Sequence, residues 1–259
     1  MKTDTFRKIK ILLASFLFIF FFSLSFPLII PGSSEPVWLH RAAGWLFIFP
    51  VMPLFFYVID SFDTFKKKIV ALYAMGIPAN ALVFYWSYYS IHVYGGVPQG
   101  YTIFLCLLMF ASESTFWLLF LYMCRVYEKR KELKPWIIAS FWVTAETVRT
   151  FFPVDFYWNA LGHSQYNNKL TLQWASIGAI YLLSFMIVWI SMYVYQFLGG
   201  RKNLKEGAVL FITVTVLSVY SVMRITEFKS MRPVKEIKVG IMQPSINQFD
   251  VNSKETNLD

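Results

Sequence analysis

The chain has 259 residues, 57% of them hydrophobic and 20% aromatic, with only 15% charged and a formal net charge of +9. A charged fraction so far below the roughly 25% of soluble domains points to lipid as the solvent. The basic residues stand in short clusters between apolar runs, which excludes one continuous basic patch and with it a nucleic-acid partner.

A bilayer core needs about 20 apolar residues in helical form. In chain order, such runs fall at 11–30, 37–59, 69–91, 101–123, 135–152, 170–198 and 204–223, which predicts an all-α polytopic membrane protein of about seven transmembrane helices. The first run follows Lys2, Arg7, Lys8 and Lys10, but it is longer than a signal-peptide core and no small-residue cleavage site follows it. It is expected to remain as a helix. Pro50, Pro53 and Pro78 lie inside spans and predict kinks. Cys106 and Cys124 give neither a disulfide framework nor a metal-ligand spacing and are expected as small buried hydrophobes.

Charge sets the direction of threading. Fifteen Lys and Arg residues fall in alternate gaps, namely the N-terminus, 60–68, 124–134 and 199–205, whereas the intervening gaps hold Lys169, with Arg41 and Arg149 at their edges. The positive-inside rule then puts the N-terminus and these gaps in the cytoplasm and everything after the seventh span outside. Residues 1–224 are expected to be the helical membrane module and 225–236 a charged linker carrying Pro233. Ile237 to Ile241 alternate apolar and polar as a half-buried strand does, and Gln243 to Gln248 end it with loop-type residues. A single strand cannot stand alone, so 237–259 predict the first strand and loop of an α/β domain of which the rest is absent.

Ionisable groups within spans are costly and are therefore candidates for function. Glu146 and Arg149 lie three apart on one face of the fifth helix, and are read either as lining a polar cavity near the outer leaflet or as a buried structural ion pair. Glu113, flanked by Ser112 and Ser114, predicts interhelical hydrogen bonding. His40 and Arg41 are placed to snorkel to headgroups, and Asn80 is expected to satisfy the backbone freed at Pro78. His92 and His163 have no carboxylate or thiol at ligand spacing, so neither a metal nor any other cofactor is expected. The segment from His92 to Pro98 packs Gly95 and Gly96 beside Tyr94, predicting a tight re-entrant turn at a cleft or a plain connection. The stretch 152–173 is long for a bundle connection and rich in aromatic and polar residues, including Trp158 and Gln165, which marks it as functional.

Several of these segments resemble bacterial apolipoprotein N-acyltransferases. Trp86 through Pro98, with Tyr94-Gly95-Gly96, is similar to the end of that family's third helix and its Tyr-Gly-Gly turn. Trp142 through Arg149 resembles its Glu-x-x-Arg helix, and Phe152-Pro153 with Leu161-Gly162-His163-Ser164-Gln165 is similar to its Phe-Pro-Trp and Leu-Gly-Tyr-Ser-Gln loop. Gln173 to Phe185 looks like the start of its sixth helix, and Val239 to Ile246 resembles the first strand of its nitrilase-like catalytic domain. One departure is Val154-Asp155 after Pro153, where the family has Trp; Trp158 stands nearby.

The resemblance implies acyl transfer from phospholipid, through a Cys thioester, to the N-terminal diacylglyceryl-cysteine of a lipoprotein in the bacterial inner membrane. The Glu, Lys and Cys that it implies for catalysis fall beyond residue 259, so no catalytic residue is assigned and the chain alone is expected to be inactive. It also implies a lipid-binding or structural cleft at Trp86, Tyr94, Gly95, Gly96, Glu146, Arg149, Pro153, Trp158 and Gln165, and a truncated or split enzyme whose nitrilase-like domain lies on a separate chain. The alternative is a non-enzymatic seven-helix protein that binds lipid or assists a partner. A transporter lacks support from internal repeats, and a retinal protein lacks a lysine in the middle of the seventh span.

Overall fold

A computed structural model describes residues 2–27, 38–129, 132–152, 157–231 and 238–242. Among the described residues ten α-helices follow one another: α1 (Lys2–Leu24), α2 (Trp38–Phe47), α3 (Val51–Asp60), α4 (Phe65–Val83), α5 (Ser87–Tyr89), α6 (Gln99–Glu128), α7 (Pro135–Arg149), α8 (Lys169–Leu172), α9 (Ala175–Leu198) and α10 (Leu204–Ser230). A π-helical turn, Ser90–Tyr94, extends α5, and two short 3-10 pieces, Tyr157–Asn159 and Leu161–Gln165, lie between α7 and α8.

In an apolar solvent every backbone group must be satisfied within the chain, which leaves helices as the available form. The hydroxyls in these helices obey the same demand by folding back on the preceding turn. Ser23, Ser114, Thr147, Ser191 and Ser221 each donate to the carbonyl four residues earlier, at 2.6–2.9 Å. Large apolar side chains point outward along whole helices, as Leu12, Leu13 and Phe16 do on α1 and Phe211, Ile212 and Val216 on α10. Faces of this kind call for lipid as their cover.

Among the described residues, four helical stretches are long and apolar enough to cross a membrane: Ala43–Asp60, Gln99–Glu128, Ala175–Leu198 and Leu204–Ser230. A fifth is counted if α4 and the 87–94 segment, bent by 69° relative to each other, form one broken span. Of the other expected spans, the first, 11–30, lies partly outside the described residues, and the fifth does not meet that measure. α1 carries Arg7, Lys8 and Lys10 within its length, and α7 has 15 residues, about 22 Å of helix. Of the expected kinks, a break is present at Pro50, whereas α3 and α4 run through Pro53 and Pro78. α2 and α3 break at 48–50, where Pro50 precedes α3, and Pro53 sits in the first turn of α3, where its missing N–H costs nothing. α4 runs on through Pro78, and the sharp bend comes later, at 84–86. A further break lies inside α9, at Gly178 and at Ala179 with φ of 50°.

The core is a cage of α1, α3, α4, α6, α7 and α9. α7 packs along both α6 and α9, α4 against α6, and α1 against α3 and α4. Its centre is aromatic: Phe18, Phe22, Phe55, Trp117, Phe120 and Trp142 meet ring to ring at centroid distances of 5.0–6.3 Å. Cys106 and Cys124 are buried in this core as expected. α10 stands at the edge, tied by Trp174 Nε1 donating to Leu217 O and by Glu206. Glu206 was not singled out in the sequence. Its carboxylate accepts from Trp189 Nε1 at 3.2 Å and from Trp136 N at 3.4 Å, while Asn203 caps its backbone N–H. The signal was available as Asn203-x-x-Glu206, a capping box ahead of an apolar run.

α10 continues helically to Ser230, through the first residues of the expected linker. Residues 238–242 form no strand, and Ile237 lies outside the described residues. A strand needs a neighbour to accept its ladder, and none is present among the described residues.

The connection between α7 and α8 is pressed closely onto α9. A Cβ added at Gly162 would lie 2.6 Å from Ile180 O and 2.9 Å from the Ile180 side chain. Backbone cannot rotate out of the way, so Gly162→Ala is expected to destabilise the chain by about 1–3 kcal/mol. A thermal unfolding midpoint in micelles that matched wild type would contradict this packing.

Candidate functional site

The site is built around Arg149 at the C-terminal end of α7, which is 2% exposed. A guanidinium so deeply placed needs partners. Its Nη1 pairs with Glu113 Oε2 of α6 at 2.8 Å and donates to Asn159 Oδ1, while its face lies 5.2 Å from the Tyr157 ring centroid. The sequence left Glu146 and Arg149 open between lining a polar cavity and pairing with each other; the ion pair seen is Arg149 with Glu113. Three residues of separation puts both on one face, but the carboxylate from the neighbouring helix takes the charge.

Glu146 has other work. Its Oε1 accepts from Trp142 Nε1 at 2.8 Å and from Leu161 N at 2.9 Å. The next amide, Gly162 N, donates to Ser184 Oγ of α9 at 2.9 Å. Asn159 Nδ2 reaches Asn80 Oδ1 of α4 at 2.9 Å and Glu113 Oε2 at 3.3 Å, and Asn80 Nδ2 donates to Ser114 Oγ. Asn80 was expected to serve the backbone near Pro78. Its side chain instead joins α4 to Ser114 of α6 and to Asn159 of the connection. Glu113 does form the interhelical bonds expected of it.

The connection is latched at its far end too. Gln165, 1% exposed, donates to Trp45 O at 2.9 Å and accepts from Thr171 Oγ1 at 3.1 Å. Beside it His163 packs edge-on against Tyr157, and burial, with the Arg149 charge second, holds its imidazole below the ordinary value.

The predicted aromatic residues meet on the surface above this lattice. Trp86, at the bend after α4, stacks on Trp158 with centroids 5.2 Å apart and planes 29° apart, and Trp158 is 66% exposed. From Trp86 the chain runs into the π-helical turn and closes at the glycines. Gly95 N donates to Ser90 O at 3.0 Å, and a Cβ on Gly95 would lie 2.6 Å from Ile91 O. Gly96 has φ of 65°, and His92 Nδ1 lies 2.7 Å from Val97 O, bracing the turn. Tyr94 is exposed. Pro153 and Asp155 lie outside the described residues, as do the side chains of His40 and Arg41.

The void among Trp142, Glu146, Arg149 and Asn159 is only about 10 Å³. Glu146 and Arg149 both bond to the 157–165 connection, Arg149 to Asn159 Oδ1 and Glu146 to Leu161 N, beneath the surface that carries Trp158.

Comparison with known proteins bears on this arrangement. The sequence profile of the family described as apolipoprotein N-acyltransferase N-terminal domain matches residues 20–193, a span that contains the whole polar lattice. Apolipoprotein N-acyltransferase of Haemophilus influenzae is 31% identical over 169 residues, 63% of this chain and 31% of that protein. The Vibrio parahaemolyticus and Geobacter metallireducens proteins of the same name are 25% and 24% identical over 72% and 68% of this chain. The matched part spans about a third of the length of these relatives.

Arg149→Met leaves Glu113 buried and uncompensated and is expected to destabilise the chain by about 3–5 kcal/mol. The double variant Glu113→Gln with Arg149→Met removes both charges and is expected to recover a substantial part of that loss. Unfolding in micelles measures both. A single variant no less stable than the double would contradict the pairing.

Proposed function

The chain belongs to the apolipoprotein N-acyltransferase family through its N-terminal domain, and from that premise we propose that residues 1–224 form the membrane module of an acyl-transfer system. The module crosses the bacterial inner membrane seven times, with the N-terminus in the cytoplasm and the carboxyl end outside. Support for a shared basic end comes from Arg7 donating to Ser61 O and from Asp60, Lys68, Arg125 and Arg201 lining one cavity. The first, third, fifth and seventh gaps thus gather on one side, as alternate gaps must. On this reading 225–236 link the module to a nitrilase-like part, of which 237–259 supply the first strand and loop.

The acyl group comes from phospholipid and goes to the N-terminal diacylglyceryl-cysteine of a lipoprotein, through a thioester on a Cys thiolate. That thiolate, and the base and cation that serve it, belong to groups outside these 259 residues, carried in a nitrilase-like part or on a separate chain. The module admits lipid laterally and holds it against the Trp86–Trp158 surface, close to the Tyr94-Gly95-Gly96 turn. The observation that carries this reading is exposed Trp158 stacked on half-buried Trp86, standing on a connection fixed from beneath by a buried ion pair. Exposed aromatics on a rigid base suit the boundary between acyl chains and headgroups.

Two measurements test the proposal. The purified chain, given phospholipid and a diacylated lipopeptide, is expected to give no turnover, and acyl transfer would overturn the assignment of chemistry to groups outside it. A phospholipid with a photoreactive acyl chain is expected to label 86–98 and 157–165 preferentially, with labelling there reduced at least about threefold by Trp158→Ala. Even labelling of all lipid-facing helices would contradict a cleft at that surface.

A further inference from the structure

At the opposite, basic end of the bundle the structure holds a cavity of about 550 Å³. Sites for small ligands typically measure about 300–1,000 Å³. The floor is apolar and buried, formed by Phe56, Leu121, Ile138 and Met192 from four different helices. The rim carries both signs of charge, with Lys68, Arg125 and Arg201 against Asp60, Asp63 and Glu128.

Most of this charge is not spent within the protein. Lys68 and Asp60 pair at 3.3 Å, but Asp60 is 59% exposed, so the pair is weak. Arg125 lies over the Phe65 ring at 4.1 Å. Arg201, Asp63 and Glu128 form no ion pair among the described residues.

We propose that this cavity holds the headgroup of a zwitterionic membrane phospholipid, its phosphate toward Arg201 and Lys68 and its ammonium toward Asp63 and Glu128. A ligand of one sign meets three repelling groups on this rim; a phosphate joined to an ammonium meets attraction from both. The apolar floor, set at the ends of membrane helices, suits the glycerol and first chain carbons of a lipid and gives a soluble zwitterion nothing polar to bond. The site is distinct from the tryptophan surface. It rests on the helices being membrane-embedded and not on the acyl-transfer reading.

The test uses the full chain, delipidated in detergent, with bound lipid counted by native mass spectrometry. Phosphatidylethanolamine is expected to be retained at one molecule per chain, at least about fivefold better than phosphatidylglycerol. Arg201→Gln is expected to lower that retention about tenfold, and Asp63→Asn with Glu128→Gln to abolish the preference for phosphatidylethanolamine. These side chains are exposed, and an unchanged unfolding midpoint verifies that the variants fold. Trp158→Ala is expected to leave retention unchanged, which separates this site from the proposed acyl surface. Equal retention of the two lipids, or no effect of Arg201→Gln, would overturn the proposal. Competition by soluble phosphoethanolamine at the same concentration would overturn the lipid source.

Discussion

One guanidinium organises the far end of this protein. Arg149 cannot stay charged inside an apolar bundle without a carboxylate and further acceptors, so its burial obliges α6 to present Glu113 and the 157–165 connection to present Asn159. Each recruited group recruits another. Asn159 draws in Asn80 from α4, Asn80 draws in Ser114, and Glu146 takes the Leu161 amide that the connection could not otherwise satisfy within the core. A segment of two short 3-10 pieces, outside the α-helices, is thereby tied to α4, α6, α7 and α9 by side chains. Non-helical backbone is tolerated at this depth only when buried in protein with its groups paired.

The two ends of the bundle differ in kind. At one, Arg149 and Glu113 are buried and paired, beside a void of about 10 Å³ and beneath the surface that carries Trp158. At the other, charges are exposed, only partly paired, and surround about 550 Å³ of space. The first arrangement gives shape and rigidity; the second leaves charge available for a ligand. Between them the phenylalanine and tryptophan core keeps both ends in register.

Much of this was legible in the chain. Apolar runs announced an all-helical chain with several membrane-spanning stretches, and the Tyr-Gly-Gly turn and Trp158 stood out as unusual. What sequence spacing could not show was partner choice. Glu146 and Arg149 share a helical face, but a local i,i+3 pair competes with any carboxylate that packing brings nearer, and Glu113 is 36 residues away. Asn80 likewise drew attention to Pro78 next to it, when its true partners lie 34 and 79 residues off. The bend at 84–86 and the break at Gly178 and Ala179 carry no proline and so gave no signal. Glu206 was missed because a helix cap is local, whereas its contacts with Trp136 and Trp189 are tertiary.

The central claim is that buried side chains hold the 157–165 connection in place, and amide hydrogen exchange reports on it directly. Leu161 N and Gly162 N bond to Glu146 and Ser184. They are predicted to exchange as slowly as amides in the middle of α7, and to lose that protection in Arg149→Met. Exchange at these two positions as fast as at an exposed turn in the wild-type chain would contradict the account.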